Sequence, residues 1–507
     1  MKNFFDKTIN IFIALMFILI ILGTLFLKVN VYENINGFIS LVVSLLVIYI
    51  WLKVFKIFKI KKVINSREEI TIFVAFFTLY SILQFIILKQ LSVIPSWDFG
   101  VVFDNAKQFA DTGSRMGAPY FEYFDLFPNN IMLFAILLLA IKFGYVFGLS
   151  AIASCYILNI LCIDTTYIIL YLLIRKMYNN KIAIFSLVIF LCFLPILIYT
   201  PIFYSDTLSL PIGILFIYLF MFIKNNKRIE KKEIIISILL GTLLFLSKEI
   251  KITTCFIFVS IIFYNNFKIS LTKNIKVCSI IFITFIMLSL SFNFIVIKNK
   301  NFAFNTTLYG KYPYTHWIMM GVEDIDADNS CRNSYGGYNL NDYIFSQSFK
   351  TGNDAMKPDL NEYFKRVSKM GIIGYPSFLY KKAVNAWGDG SYFSLKAISI
   401  KPKNENSFIR NTFNNYFIKN IILYYMQGIQ IAFILLTIIN SIYILRKKKK
   451  DDLIPIKTSI FMLFIFLLIW ENRSRYLLNY IPLFIIIIIN EINYLYNFFA
   501  KIKLKKH

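Results

Sequence analysis

Long runs of apolar, uncharged residues recur along the whole chain, and they decide what it can fold into. They fall near 10–27, 37–57, 70–89, 130–146, 149–173, 182–200, 207–223, 233–247, 252–264, 277–296, 421–445, 456–470 and 477–498. Most approach the roughly 20 residues that a helix needs to cross a bilayer, where backbone groups must be satisfied within the element itself. The composition agrees, with 58% hydrophobic and only 16% charged residues. A soluble domain carries about a quarter charged residues. The expected fold is an all-α polytopic membrane protein of about 12–14 transmembrane helices with a small outer-face lobe.

A net charge of +26 would suit nucleic acid if it were gathered on one face. Instead the cations flank the apolar segments, as membrane orientation requires, and no nucleic-acid partner is expected. Lys53, Lys56, Lys59, Lys61 and Lys62 mark one cytoplasmic loop. Lys224, Lys227, Arg228, Lys231 and Lys232 mark a second, and Lys268, Lys273 and Lys276 a third. Arg446 to Lys450 and Lys501 to Lys506 complete the set. This orientation puts the loop 90–129, the turn at Tyr204-Ser205-Asp206, the segment 297–420 and the turn 471–476 on the outer face of the plasma membrane.

The chain divides accordingly. Residues 1–67 read as an N-terminal transmembrane hairpin, beginning with an uncleaved signal-anchor helix because no small-residue cleavage site follows Leu27. Residues 68–296 form a transmembrane module that includes the outer loop 90–129. Residues 297–420 form the lobe and 421–507 the last helices. Both ends inside require an even number of crossings, yet 130–146 and 149–173 are two segments where the charges allow one. Either 149–173 is a re-entrant or broken element, with Asn159 and Asp164 facing protein, or one of the two segments does not span.

Cysteine and histidine offer little chemistry. Cys155, Cys162, Cys192, Cys255 and Cys278 lie in apolar segments, Cys331 in a polar one, and none has zinc spacing. His316 and His507 are the two histidines. Catalysis must therefore rest on carboxylates, cations and tyrosines.

Five acids crowd the loop 90–129, and Asp98 leads them within Trp97-Asp98-Phe99-Gly100. Its spacing to Ala106, Phe109 and Gly113 fits an interfacial amphipathic helix anchored by Trp97 and Phe99. Asp98 either takes a proton from an acceptor hydroxyl as general base or caps that helix. Asp104 and Asp111 fit the wet face, and Asp104 is a further acid near the acceptor. Asn129 and Asn130 either hydrogen-bond acceptor hydroxyls or cap the following span. Asp206 is a second acidic site residue or another N-cap. Arg473 and Arg475 within Glu471-Asn472-Arg473-Ser474-Arg475-Tyr476, together with Lys251, are cations on the outer side, where the positive-inside pattern disfavours them. Guanidinium forks match phosphate oxygens, although pairing with Glu471 or with anionic headgroups would also account for them.

These residues, in this order, resemble the GT-C superfamily of polyprenyl-phosphate-sugar-dependent glycosyltransferases, which includes protein mannosyltransferases and lipid A aminoarabinose transferases. The resemblance covers about 90–485 and runs through Asp98, Tyr123 to Asn130, Tyr204-Ser205-Asp206, Lys251 and the Glu471 to Tyr476 turn. Pro128-Asn129-Asn130, Trp317 to Gly321, Gly337-Tyr338-Asn339 and Trp387-Gly388-Asp389-Gly390 resemble cell-envelope glycosyltransferases of low-GC Gram-positive bacteria. The resemblance implies that Asp98 is the general base and Asp206 a second acid, with Arg473, Arg475 and Lys251 binding the donor phosphate. It also implies a glycan or lipid-linked acceptor and inversion at the anomeric carbon. Phe99 stands where the family has a second acid, which weakens any divalent metal role. The acidic loop follows the third span rather than the first, which implies an added N-terminal hairpin. A flippase of lipid-linked sugars and a scaffold for envelope enzymes are the other readings of such a chain.

Overall fold

The computed structural model describes residues 2–27, 35–60, 65–116, 120–224, 228–265, 270–299, 302, 304, 312–323, 335–447 and 451–504. The basic residues at 61, 62, 227, 268 and 448–450, and Cys331, lie outside them. The described residues contain helices and no strand, only an isolated antiparallel bridge between Val93 and Pro402. The chain opens with α1 (Lys2–Phe26), α2 (Gly37–Ile60) and α3 (Ser66–Leu91), followed by α4 (Trp97–Thr112) and α5 (Tyr120–Leu126). Next come α6 (Ile131–Val146), α7 (Ala151–Met177), α8 (Asn180–Cys192), α9 (Leu194–Ile198), α10 (Ser205–Leu208) and α11 (Leu210–Phe220). α12 (Lys231–Ile250), α13 (Cys255–Asn265) and α14 (Leu271–Phe292) lead to the lobe, which holds α15 (Tyr314–Met320), α16 (Leu340–Gln347), α17 (Gly352–Trp387), α18 (Ser394–Ser399) and α19 (Phe408–Asn414). α20 (Tyr416–Lys447), α21 (Ile454–Ile469) and α22 (Ile481–Leu504) close the chain.

Among the described residues, eight helical stretches are long and apolar enough to cross a membrane, and four shorter apolar helices accompany them. This is the expected all-α polytopic membrane fold. α22 lies at its centre, with Leu483 to Ile489 all essentially inaccessible, as befits a helix that is apolar on every side. α14 lies at the rim and turns Phe282, Ile283, Met287 and Leu290 outward. α1 and α2 flank α20 rather than chiefly each other, so the N-terminal pair is built into the bundle. Trp51 packs 6.0 Å from Phe433, and Phe17 packs 5.8 Å from Trp387.

At the end of the bundle that carries the basic loops, cations meet buried carboxylates, and Lys457 and Lys273 are buried with them while Arg175 is half exposed. Lys457 Nζ lies 2.8 Å from Asp451 Oδ2, Lys273 Nζ 2.7 Å from Glu233 Oε1, and Arg175 Nε 2.7 Å from Glu69 Oε1. For the two lysine pairs, burial of either partner alone would cost several kcal/mol, on the order of 3–5.

The Arg175–Glu69 pair also resolves the odd count of crossings. It sets the C-terminal end of α7 beside the first turn of α3, so α7 begins at the far end, where α3 finishes. α7 is one continuous 27-residue helix rather than a re-entrant or broken element. Its buried Asn159 donates to the carbonyls of Tyr199 and Thr200, at 3.1 and 2.9 Å, where the chain breaks after α9. α6 is the helix that does not cross. It starts next to α5 and ends where Tyr145 Oη donates to Asp111 Oδ1 at 2.6 Å, in the last turn of α4. Residues 147–150 then lead directly into α7, so both ends of α6 lie at the far end and the helix runs alongside α4. Without α6, seven of the eight long apolar stretches remain among the described residues, beside the four shorter apolar helices.

The described part of the lobe is threaded into the far end. Arg366 ties α17 to Asp342 at 2.6 Å and to Glu323. α17 breaks at Gly371, whose φ of +70° lies in the left-handed region. Its second half then descends along α1 to the buried Trp387, which packs 5.9 Å from Phe464.

Candidate active site around Asp98 and Arg475

The chain leaves α3, turns at Pro95 and enters α4 within a few residues. A Cβ at position 100 would sit 2.7 Å from the Pro95 carbonyl carbon, so only glycine lets the linker fold back this tightly. Trp97 takes φ +46°, a region that bulky residues seldom occupy and that marks stored strain beside a functional group. Ser96 holds the N-cap position without a side-chain bond to the helix, and Asp98 lies inside its first turn. The half-buried Asp98 carboxylate instead lies near the hydroxyls of Tyr123 and Tyr204, and both favour its ionised form. Burial pushes Asp98 above the usual carboxylate range, while the charge of Arg475 and the Tyr123 hydroxyl pull it back and Glu471 pushes it up again.

Tyr123 is itself held from behind, because Asn130 Nδ2 lies 2.6 Å from its hydroxyl oxygen. The Asn130 side chain makes no capping bond to α6, so its work is to orient the tyrosine that touches Asp98. Asn129 is exposed, and no described contact brings it to Asp98. Asp104 also stands apart, since the cation acting on it is Lys107 on its own helix. The described contacts bring neither of them to Asp98.

The second half of the site is cationic. Asp206 is buried in α10, which begins at Tyr204 as its N-cap, so capping is not its role either. Lys251 Nζ lies 2.6 Å from Asp206 Oδ1, and Arg475 Nε lies 3.8 Å from Oδ2. The guanidinium carbon of Arg475 sits 5.2, 5.6 and 5.6 Å from the ring centres of Trp97, Tyr204 and Tyr476. Arg475 makes no hydrogen bond to a described residue, and its Nε is buried without one. A cation enclosed by aromatic faces and short of acceptors is ready for an anion. Lys251 Nζ lies 4.3 Å from the Tyr476 ring, and the Tyr476 hydroxyl donates to Glu471 Oε2 at 2.9 Å. Arg473 is placed differently, with its guanidinium 5.4 Å from the Phe393 ring.

The turn that carries Arg475 is where the other sequence stretches meet. Asn472 N donates to the Gly336 carbonyl at 2.8 Å, and its side chain donates to the Lys382 carbonyl at 2.9 Å. Ser474 Oγ donates to Asp389 Oδ2 at 2.6 Å, and Asp389 also accepts from Ser391 and Phe393. Lys382 is buried, and its ammonium donates to the carbonyls of Gly321, Trp470 and Leu468 at 2.6, 2.7 and 3.1 Å. Gly336, at φ +61°, passes so close that a Cβ would lie 2.4 Å from the Gly321 oxygen. Trp317 to Gly321, Gly337 to Asn339 and Trp387 to Gly390 thus flank or bond the turn 471–476, and Asp389 and Lys382 position it.

With this geometry in view, a family model described as a conserved hypothetical integral membrane protein matches residues 1–494. The chain belongs to that family. No curated protein and no solved structure matches it. The family match runs through α1 and α2 and through the lobe, so it takes in the N-terminal pair together with the site.

A divalent cation fits these donors poorly. Asp98 is engaged by two tyrosine hydroxyls and Asp206 by Lys251 and Arg475. Among the described residues no three His, Cys, Asp or Glu side chains gather as a metal would need. The residues that the sequence left without a role are Tyr123, Tyr204, Glu471 and Lys382. The two tyrosines stood inside stretches already singled out, and their signal was a phenol within a few residues of each loop carboxylate. Lys382 gave no signal, because its acceptors are backbone carbonyls.

Proposed function

We propose that this chain is a membrane glycosyltransferase of the GT-C type. It moves a sugar from a polyprenyl-phosphate donor to a glycan or lipid-linked acceptor of the cell envelope, at the outer face of the plasma membrane. The observation that carries this reading is a half-buried acid, Asp98, whose charge is favoured by Arg475 and by the Tyr123 and Tyr204 hydroxyls, with Arg475 a cation short of hydrogen-bond acceptors. The positive-inside pattern of the basic loops puts this end outside.

In the proposed step the Asp98 carboxylate takes the proton of an acceptor hydroxyl. The acceptor oxygen attacks the anomeric carbon from the face opposite the phosphate, and the bond from that carbon to the phosphate oxygen breaks. The electron pair leaves with the phosphate, whose growing charge meets Arg475, and the configuration inverts. Positioned bases of this kind contribute about 10²–10⁴-fold. The cation acts where charge develops, inside a site that water reaches poorly.

The competing reading is a flippase or transporter of lipid-linked sugars. It is favoured by Asp164, an acid buried in α7 among Tyr80, Gln84 and Tyr167, because acids at such depth often mark translocation paths. Purified protein in vesicles, given polyprenyl-phosphate sugars and envelope acceptors, separates the two. Transfer by wild type and not by Asp98→Asn supports the transferase, and equal transfer by both sinks the base assignment. Translocation without transfer supports the flippase.

A further inference from the structure

The described lobe residues nearest the site are held by a buried hydrogen-bonded chain. Thr315 Oγ1 donates to Asp359 Oδ2 at 2.9 Å and Ser346 Oγ to Oδ1 at 2.8 Å, while His316 Nδ1 lies 2.8 Å from Ser346 Oγ. Ser346 spends its proton on the carboxylate, so Nδ1 must carry the imidazole proton and Nε2 is a bare acceptor. Burial pushes His316 down to about 4 and keeps the ring neutral. His316 Nε2 and Tyr312 Oη are both buried without a hydrogen-bond partner. Buried polar atoms are nearly always satisfied, so two unmet ones side by side mark a place for a ligand or water.

Rings surround these atoms. Tyr312 stacks on His316 at 4.4 Å, and Tyr343 and Trp317 stand edge-on to it at 4.7 and 4.9 Å. Phe127 is 5.3 Å from Tyr312 and 6.0 Å from Tyr343, and Trp317 stacks on Trp470 at 6.3 Å. Phe127, Trp317, Tyr343 and Trp470 keep part of their surface open, unlike rings that merely fill a core. The wall is continuous with the proposed catalytic centre. Phe127 packs 5.0 Å from Tyr123, whose hydroxyl favours the ionised form of Asp98, and Trp470 directly precedes Glu471. The Tyr343 hydroxyl makes no hydrogen bond to a described residue, and after burial the charges that act on it most are Glu471 and Asp98.

We propose that this wall is the acceptor subsite and that the acceptor is a carbohydrate. Its sugar ring lays its C–H face on Trp317 and Tyr343 and gives a hydroxyl proton to His316 Nε2. A polyprenyl tail would leave the unmet polar atoms unmet, whereas a sugar offers apolar faces and hydroxyl edges together. This rests on reading Asp98 as the transfer base, but binding can be measured without the reaction.

The test is calorimetric titration of the full chain in nanodiscs, without donor, against tetrasaccharides of glucose, mannose, galactose and N-acetylglucosamine. At least one should bind saturably, Trp317→Ala should bind it at least about tenfold more weakly, and Asp98→Asn should bind like wild type. Should Trp317→Ala fail to fold, Tyr343→Leu, which changes a partly open ring, carries the same expectation. Binding by neither wild type nor Asp98→Asn, or equal binding by wild type and a folded wall variant, overturns the proposal. Equal transfer by wild type and Asp98→Asn with saccharide binding intact would remove the base assignment and leave the subsite standing.

Discussion

Lys251 and Asp206 are partners of one another: the ammonium nitrogen lies 2.6 Å from Oδ1, and the side chains are 12% and 3% exposed. Read from the sequence, one was a cation for phosphate and the other a second acid. In the fold they neutralise each other, and Arg475, 3.8 Å from the same carboxylate, remains the cation with donors to spare.

Lys251→Met should therefore behave first as a stability variant. It strands a buried carboxylate, which costs about 3–5 kcal/mol when one partner of a buried pair is removed. Lys251→Met with Asp206→Leu should recover part of that loss, because the stranded carboxylate is gone, although Arg475 then loses the carboxylate 3.8 Å away. Thermal melting of the two variants in the same detergent checks this. A double variant no more stable than the single one would show that the pair is not a closed unit.

Asp98→Asn should separate chemistry from folding. Loss of a general base predicts a fall in transfer of about 10²–10⁴-fold. Burial raises the folded-state pKa of Asp98 above its unfolded value, so at neutral pH the ionised carboxylate is a burden on the fold. Protonation stabilises the fold as pH falls from above the folded pKa towards the unfolded one. The asparagine variant should consequently melt no lower than wild type at neutral pH. Transfer by wild type should fail on the acid side, at a pH above the usual carboxylate range, as the base takes up its proton.

Much of this architecture was legible in the sequence. Apolar run length and flanking lysines suffice to place most helices, because lipid imposes one solution on the backbone. The pattern at 130–173 was not legible, because α6 is as apolar as a spanning helix and differs only in running alongside α4. Nothing in its composition records that both its ends sit at one side. Asp98 stood out because an acid beside a tryptophan at the end of a span is costly. Tyr123 and Tyr204 carried no role of their own and Asn130 stood out only as a ligand for acceptor hydroxyls or a cap, since the packed bundle alone brings these residues together around Asp98. Asn129 and Asp104 were indistinguishable from Asn130 and Asp98 by residue type, and their contacts alone separate them.

The phenol grip on Asp98 yields a prediction with a sign. Tyr123→Phe or Tyr204→Phe removes a donor that favours the ionised carboxylate, so the pKa of Asp98 should rise further and the acid limb of transfer should move to higher pH. Hydrogen bonds to charged groups contribute about 1.5–3 kcal/mol, so the rate at neutral pH should fall roughly ten- to a hundredfold. Asn130→Ala should do the same more weakly, acting through Tyr123. A pH–rate profile in which either phenylalanine variant shifts the limb downward would show that the hydroxyl does not act on this carboxylate.

The placement of α6 gives the most direct structural check. If α6 runs beside α4, residue 150 lies on the same side as residue 114, and both lie opposite residue 272. Were α6 to cross, residue 150 would change sides and α7 would have to start at the basic end. That contradicts the 2.7 Å contact between Arg175 and Glu69, which holds the other end of α7 there. In a cysteine-free background, Ser114→Cys and Ser150→Cys should both react with an impermeant maleimide added to intact cells, and Thr272→Cys only after the membrane is opened. Labelling of 150 together with 272 would return α6 to the membrane-crossing set and move the Asp98 site relative to α7.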